Sequence, residues 1–212
     1  MSRTVAVVDY GMGNLRSVAK ALEHVAPDAN VKVTSDAAVI AAADRVVMPG
    51  QGAMPDCMRE FTARGLREAV LKATAEKPFL GICVGEQMLF GHAEEGNVMG
   101  LEIMPGSIPR FPLGLCDAAG VPLKVPHMGW TEVKQVQSHA LWKDIPDAAR
   151  FYFVHSYFVL PDDPAVTAGL TEYGIPFTSA IGRANIFATQ FHPEKSAEAG
   201  LQLLKNFMHW QP

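Results

Sequence analysis

The chain has 212 residues, 49% of them hydrophobic and 19% charged, with a formal net charge of −4. That length holds one domain with a large core, and the charge content is that of a globular chain rather than a disordered one. The weak acidic balance gives no electrostatic reason to expect nucleic acid as a partner, no apolar run is long enough to span a membrane, and the short apolar start leads into polar residues, unlike a cleavable signal.

Residues 4–10, TVAVVDY, read as a strand. Residues 14–25 read as an amphipathic helix, with Leu15, Val18, Ala19, Leu22 and Val25 on one stripe. VKVTS (31–35) is a second strand, followed by an alanine-rich helix, and RVVMPG (45–50) is a third. A helix over 65–76 leads to a fourth strand, PFLGIC (78–83), and VGEQMLFGH (84–92) returns to helix. This alternation predicts a mostly parallel central sheet in a three-layer α/β fold, with helices on both faces. Beyond Gly100 the pattern turns β-rich, through WTEVKQV (130–136), FYFVHSYFVL (151–160), FTSAIG (177–182) and IFATQFH (186–192). These predict antiparallel strands added to the sheet or lying over it. Residues 197–210 look like a closing helix. No repeat, low-complexity tract or linker divides the chain, so 1–212 is expected to form a single domain.

The chemistry concentrates at Gly81-Ile82-Cys83-Val84-Gly85, where an apolar strand meets a helix. That pattern fits a nucleophile elbow, whose glycines remove Cβ atoms that would clash in the turn. A thiol at a helix start is also favoured as thiolate. A buried packing cysteine is an equally good reading of the pattern alone. Cys57 and Cys116 lack this context and are expected to be structural or incidental. Three cysteines, none in a CxxC pair, argue against disulfides and structural zinc and for a reducing, cytoplasmic setting. His192, after an apolar strand and before Pro193-Glu194, is the candidate base. Two apart in extended backbone, His192 and Glu194 would share a face, so Glu194 could orient the imidazole. Gly50, Gln51 and Gly52 follow the third strand and could offer N–H groups to an oxyanion, together with the N–H of Val84. No metal, flavin or nucleotide motif is present, and Arg16 breaks any GxGxxG reading of the N-terminal glycines. No cofactor is expected.

Taken together, PGxG, GxCxGxQ and HPE in this order resemble the class I (triad) glutamine amidotransferases, over nearly the whole chain. DYGMGN (9–14), PHMGW (126–130), FYFVHSY (151–157) and ATQFHPEKS (188–196) narrow the likeness to the glutaminase subunits of imidazole glycerol phosphate synthases, in histidine biosynthesis. The resemblance implies a flavodoxin-like glutaminase fold that hydrolyses L-glutamine through a Cys83 thioester and passes ammonia to a separate (β/α)₈ cyclase subunit, as a heterodimer. It assigns Gln87, Glu95 and the backbone of His155, Ser156 and Tyr157 to the glutamine, and Asn14, His127, Met128, Trp130, Tyr152 and Lys195 to the partner-facing surface. Gln51 stands where many relatives carry a β-branched residue, which makes a partly formed oxyanion loop, and low activity without the partner, the expectation. The rivals are a glutaminase serving another synthase, a cysteine hydrolase or chaperone of the flavodoxin-like superfamily, and a protein with a relic site.

Overall fold

The computed structural model describes residues 3–212. Among these, nine strands form one sheet. In chain order they are β1 (Thr4–Val8), β2 (Asn30–Thr34), β3 (Arg45–Gly50), β4 (Phe79–Cys83), β5 (His127–Gln135), β6 (Ala149–His155), β7 (Thr167–Glu172), β8 (Pro176–Arg183) and β9 (Ile186–Thr189). Their spatial order is β2-β1-β3-β4-β9-β8-β7-β5-β6. From β2 to β9 every neighbour is parallel. From β9 outward every pairing is antiparallel. The second-half strands therefore extend the sheet, as one of the two expected arrangements required.

Strands β3 and β4 are buried along their whole length, which is why, apart from Arg45 at the start of β3, they read as unbroken apolar runs rather than alternating ones. Helices α1 (Leu15–Val25), α2 (Ala37–Ala42), α3 (Met54–Ala63), α4 (Arg67–Glu76), α5 (Val84–Gln87) and α6 (Ala197–His209) cover the faces. Helix α1 buries Val18, Ala19 and Leu22 of its predicted stripe and packs on α6, while α2 packs on α4.

Three local expectations fail for physical reasons. The helix expected over 84–92 stops after Gln87. The carbonyls of Met88, Leu89 and Phe90 accept N–H groups from Leu101, Ile103, Met104 and Glu102 instead of from a next helical turn. Gly65 does not open a helix. It sits at φ +65° in the turn after α3, where a left-handed residue ends a helix, and α4 starts at Arg67. Helix α3 itself was not foreseen, although Pro55 and Asp56 in its first turn are ordinary start signals. The run 151–160 also breaks, since β6 ends at His155 and Ser156 and Phe158 bond to Phe111 and Pro109.

The outer ribbon of β5 and β6 pairs with β7 at Gly169 opposite Gln135 and Leu170 opposite Lys134, and the Val136 N–H just past β5 donates to the Ala168 carbonyl at 3.1 Å. It folds back over the carboxyl end of β9. The Tyr152 carbonyl accepts from the His192 N–H at 2.9 Å, and the Tyr152 N–H donates to Ser196 Oγ at 3.0 Å. Phe151 stacks on Phe191 with ring centres 4.1 Å apart.

Gly85 shows how close the elbow packs. A Cβ there would run into the Met48 carbonyl oxygen of β3, a backbone atom that cannot move aside. Gly85→Ala is expected to destabilise the fold by about 3 kcal/mol or more, read as a lower urea midpoint at an unaltered m-value.

Candidate active site

Cys83 ends β4 in a strained conformation, φ 57° and ψ −115°, and the next residue begins α5. A positive φ in a non-glycine residue costs energy and persists only where the surroundings hold it. Here β3 and β9 flank β4 and fix it from both sides. Gly50 lies opposite Cys83, and Ala188 opposite Gly81. The parallel sheet thus gathers three carboxyl ends, carrying the Gly50–Gly52 loop, the thiol and the His192 turn.

His192 and Glu194 form the expected pair, with Nδ1 and Oε1 2.9 Å apart and both side chains almost fully buried. The route differs from the one expected. His192 is extended, but Pro193–Lys195 is a 3₁₀ turn, so Glu194 folds back toward the ring rather than running along a strand. Because Nδ1 faces the carboxylate, Nε2 is turned toward the thiol. Among the described residues Nε2 has no hydrogen-bond partner. Its neighbour is the Cys83 side chain. Burial works against a charge on His192, but Cys83 and then Glu194 outweigh it and lift its pKa to about 10. The arrangement favours the protonated, imidazolium form of His192.

These groups stand in a cavity of about 310 Å³ lined by Gln51, Gly52, Cys83, Val84, Gln87, Glu95, His155, Ser156, Tyr157 and His192, with Pro126 and Val154 completing the wall. Every residue expected to hold substrate is in that wall. Glu95 also has a second attachment. Its Oε2 accepts from the Met54 N–H at 2.7 Å and so caps the start of α3. Gly50 is closed in by the Tyr10 hydroxyl, Val84 and the Gly85 N–H, so no side chain could stand there. Val84, the first residue of α5, has no intrahelical acceptor for its N–H, as an oxyanion donor requires.

Cys57 is buried in α3 with its thiol 3.8 Å from the Gln51 carbonyl, and burial pushes its pKa up to about 11, so it is an inert packing thiol. Cys116 is exposed, far in sequence from the elbow. The group that sequence reasoning missed is Gln190, fully buried, whose Nε2 lies 3.7 Å from Cys83 Sγ. Its signal was available, since it stands two residues before His192 in the same run.

The surface residues divide. Met128 and Trp130 are 62% and 43% exposed, Trp130 lies opposite Tyr152 across the ribbon, and Lys195 sits 5.8 Å over the Tyr152 ring. Asn14 is half-buried at the start of α1. His127 is corrected: it is 1% exposed and cannot face a partner. Strand alternation that turns Met128 and Trp130 outward turns His127 inward, against Tyr173 and Phe153.

The chain belongs to the class-I glutamine amidotransferase family, whose model matches residues 6–210. It is 67% identical over 209 residues to the imidazole glycerol phosphate synthase subunit HisH of Aromatoleum aromaticum, covering 98% of this chain and 99% of that one. It is also 67% identical over 211 residues to the subunit of the same name from Dechloromonas aromatica, covering 99% and 98%. Within the class, then, it falls in the HisH subunit family. Among solved structures the fold is similar to that of a putative GMP synthase protein from Thermoplasma acidophilum, with TM-score 0.69 and 20% identity over 99% of this chain and 94% of that one. A glutamine amidotransferase from Thermotoga maritima has TM-score 0.60 and 19% identity over 94% and 79%.

Two measurements probe the site. Because Cys83 is the main force raising His192, Cys83→Ala is expected to lower the His192 pKa in an NMR titration; an unmoved value would mean that the two are not electrostatic neighbours. Glu86, beside the nucleophile, is fully buried, and neither carboxyl oxygen has a hydrogen-bond partner among the described residues. Burial first, and then Cys83, raises its pKa well above the usual range. The folded chain therefore keeps a proton that the unfolded chain releases above about pH 4.3, and stability falls as pH rises through the raised value. Glu86→Met is expected to gain about 1–3 kcal/mol at pH 8, with the gain shrinking toward pH 4 in urea melts.

Proposed function

We propose that the chain, acting over 1–212 as one domain, is the ammonia-producing half of an imidazole glycerol phosphate synthase, with Cys83 as nucleophile, His192 as base and acid, and Glu194 as the group that orients it. The observation that carries the reading is the Cys83 elbow beside His192, whose far nitrogen Glu194 holds at 2.9 Å in a buried setting. The names of the similar subunits support the pathway.

In this mechanism the Cys83 thiolate attacks the side-chain amide carbon of glutamine. Negative charge gathers on the amide oxygen and is met by the N–H of Val84 and by N–H groups of the Gly50–Gly52 loop. His192 gives its proton to the departing nitrogen, which leaves as ammonia and creates a glutamyl thioester. His192 then takes a proton from water, the resulting hydroxide attacks the thioester, and glutamate leaves as the thiolate returns. Gln87, Glu95 and the His155–Tyr157 backbone hold the amino-acid end. No step calls for a metal or cofactor.

The partner in this reading is a cyclase subunit built as a separate (β/α)₈ barrel, since that fold alone takes about 250 residues. It docks on the face carrying Asn14, Met128, Trp130, Tyr152 and Lys195, and the pair forms a heterodimer. Exposed aromatic and sulfur side chains on one face are what such a surface needs. The setting is the cytoplasm; among the described residues no helix is long and apolar enough to cross a membrane.

Glutamine turnover tests the reading. Wild type is expected to release glutamate and ammonia, Cys83→Ala to release neither, and an electrophilic glutamine analogue to label Cys83 alone. Adding the cyclase subunit is expected to raise the rate by about 100-fold, the worth of completing an oxyanion site. Equal rates with and without it would overturn the partner-dependent loop, and absence of any complex on co-purification would overturn the pairing.

A further inference from the structure

Behind the pocket a line of buried and partly buried hydrogen bonds runs from strand β5 to the nucleophile. Its fixed point is the carbonyl oxygen of Tyr157, which accepts from His155 Nδ1 at 2.7 Å and from Gln87 Nε2 at 3.1 Å. A carbonyl cannot donate, so His155 carries its proton on Nδ1. His155 is buried, and desolvation keeps it neutral, so its Nε2 can only accept. That nitrogen lies 3.0 Å from His127 Nδ1, which must therefore be the donor. His127 is neutral for the same reason, which leaves its Nε2 as an acceptor 2.8 Å from Thr131 Oγ1. The Thr131 hydroxyl is then the donor that begins the line. Both imidazoles are fixed as Nδ1–H tautomers, the less favoured form of a free histidine side chain.

On the other side of Tyr157 the direction is equally fixed. Gln87 Nε2 has two hydrogens and two acceptors, the Tyr157 carbonyl and Gln190 Oε1 at 2.8 Å. With both hydrogens engaged, the amide of Gln87 cannot flip, and its Oε1 is the atom left to meet a donor in the cavity. Gln190, having accepted through Oε1, turns its Nε2 toward Cys83 Sγ at 3.7 Å.

We propose that Thr131, His127 and His155 are positioning residues for glutamine. Their one-way line holds the Tyr157 carbonyl, and through it the Gln87 amide, in the orientation that presents an acceptor to the substrate. The inference rests on the reading of this cavity as the glutamine site. It requires an unusual tautomer at two specified residues, which simple core packing of the same rings does not.

The test uses the full chain labelled with ¹⁵N-histidine, with the two signals assigned through His127→Gln and His155→Asn. Both residues are expected as Nδ1–H tautomers at pH 7. An Nε2–H tautomer or an imidazolium at either one would overturn the proposal. Thr131→Val keeps the shape but removes the first donor. It is expected to leave the His127 tautomer, which His155 sets, unchanged while taking the partner from its Nε2, and to raise the KM for glutamine about fivefold with kcat within about twofold; Thr131→Ser is expected to restore KM. His155→Asn, which keeps a donor near the Nδ1 position, should hold KM closer to wild type than His155→Leu at matched Tm. Folded Thr131→Val and His155→Leu proteins with wild-type KM would overturn the proposal. If wild type turned over no glutamine, the reading of the cavity would fall, while the histidine tautomers would still report on the line itself.

Discussion

The site depends on the register of three parallel strands. With Gly50 opposite Cys83 and Ala188 opposite Gly81, the strand that carries the thiol is flanked by the strands that carry the oxyanion loop and the base. Backbone hydrogen bonds set this register over several residues, and nearly every side chain along the three strands is buried. A one-residue slip would turn the buried side chains of a strand to its opposite face. The catalytic spacing is therefore as firm as the core itself. Groups far apart in sequence meet because open parallel sheets collect their working ends on one side.

Local features that disfavour folding are concentrated where this sheet ends. Cys83 holds a positive φ, His192 and Glu194 keep charge away from water, and Glu86 buries a carboxyl with no hydrogen-bond partner among the described residues. Each is unfavourable alone, and surrounding packing holds each in place. The core around them is broad and apolar, from Val46 and Met48 through Phe79 and Leu80 to Phe187. The clash awaiting any side chain at Gly85 shows how little slack that packing leaves.

Much of this was legible in the sequence, and the parts that were not have more than one cause. Apolar runs located β3 and β4 because burial on both faces leaves few polar residues in a strand, Arg45 at the start of β3 being the exception. The glycines around Cys83 marked the elbow because backbone approach demands them. HPE pointed to its pair, though the turn at Pro193 was not the extended geometry assumed. Tertiary hydrogen bonding was one part that could not be read. The helix after Gln87 ends because residues 101–104 take its carbonyls. His127 sits in a family stretch beside exposed Trp130, yet alternation along β5 sends it inward. Gln190 was overlooked because it fell inside an apolar strand run, where a lone amide reads as incidental.

The folding back of the outer ribbon has a consequence for solubility. An edge strand with free backbone groups invites pairing with another chain. On β6 those groups at Tyr152 are already occupied by the His192 N–H and by Ser196 Oγ. The turn that bears the base is thus also a cover for the sheet's open border. Damage to that turn would do more than remove a proton carrier. It would uncover a strand able to recruit its own kind, so that lost chemistry and self-association would arise together from one short stretch of chain.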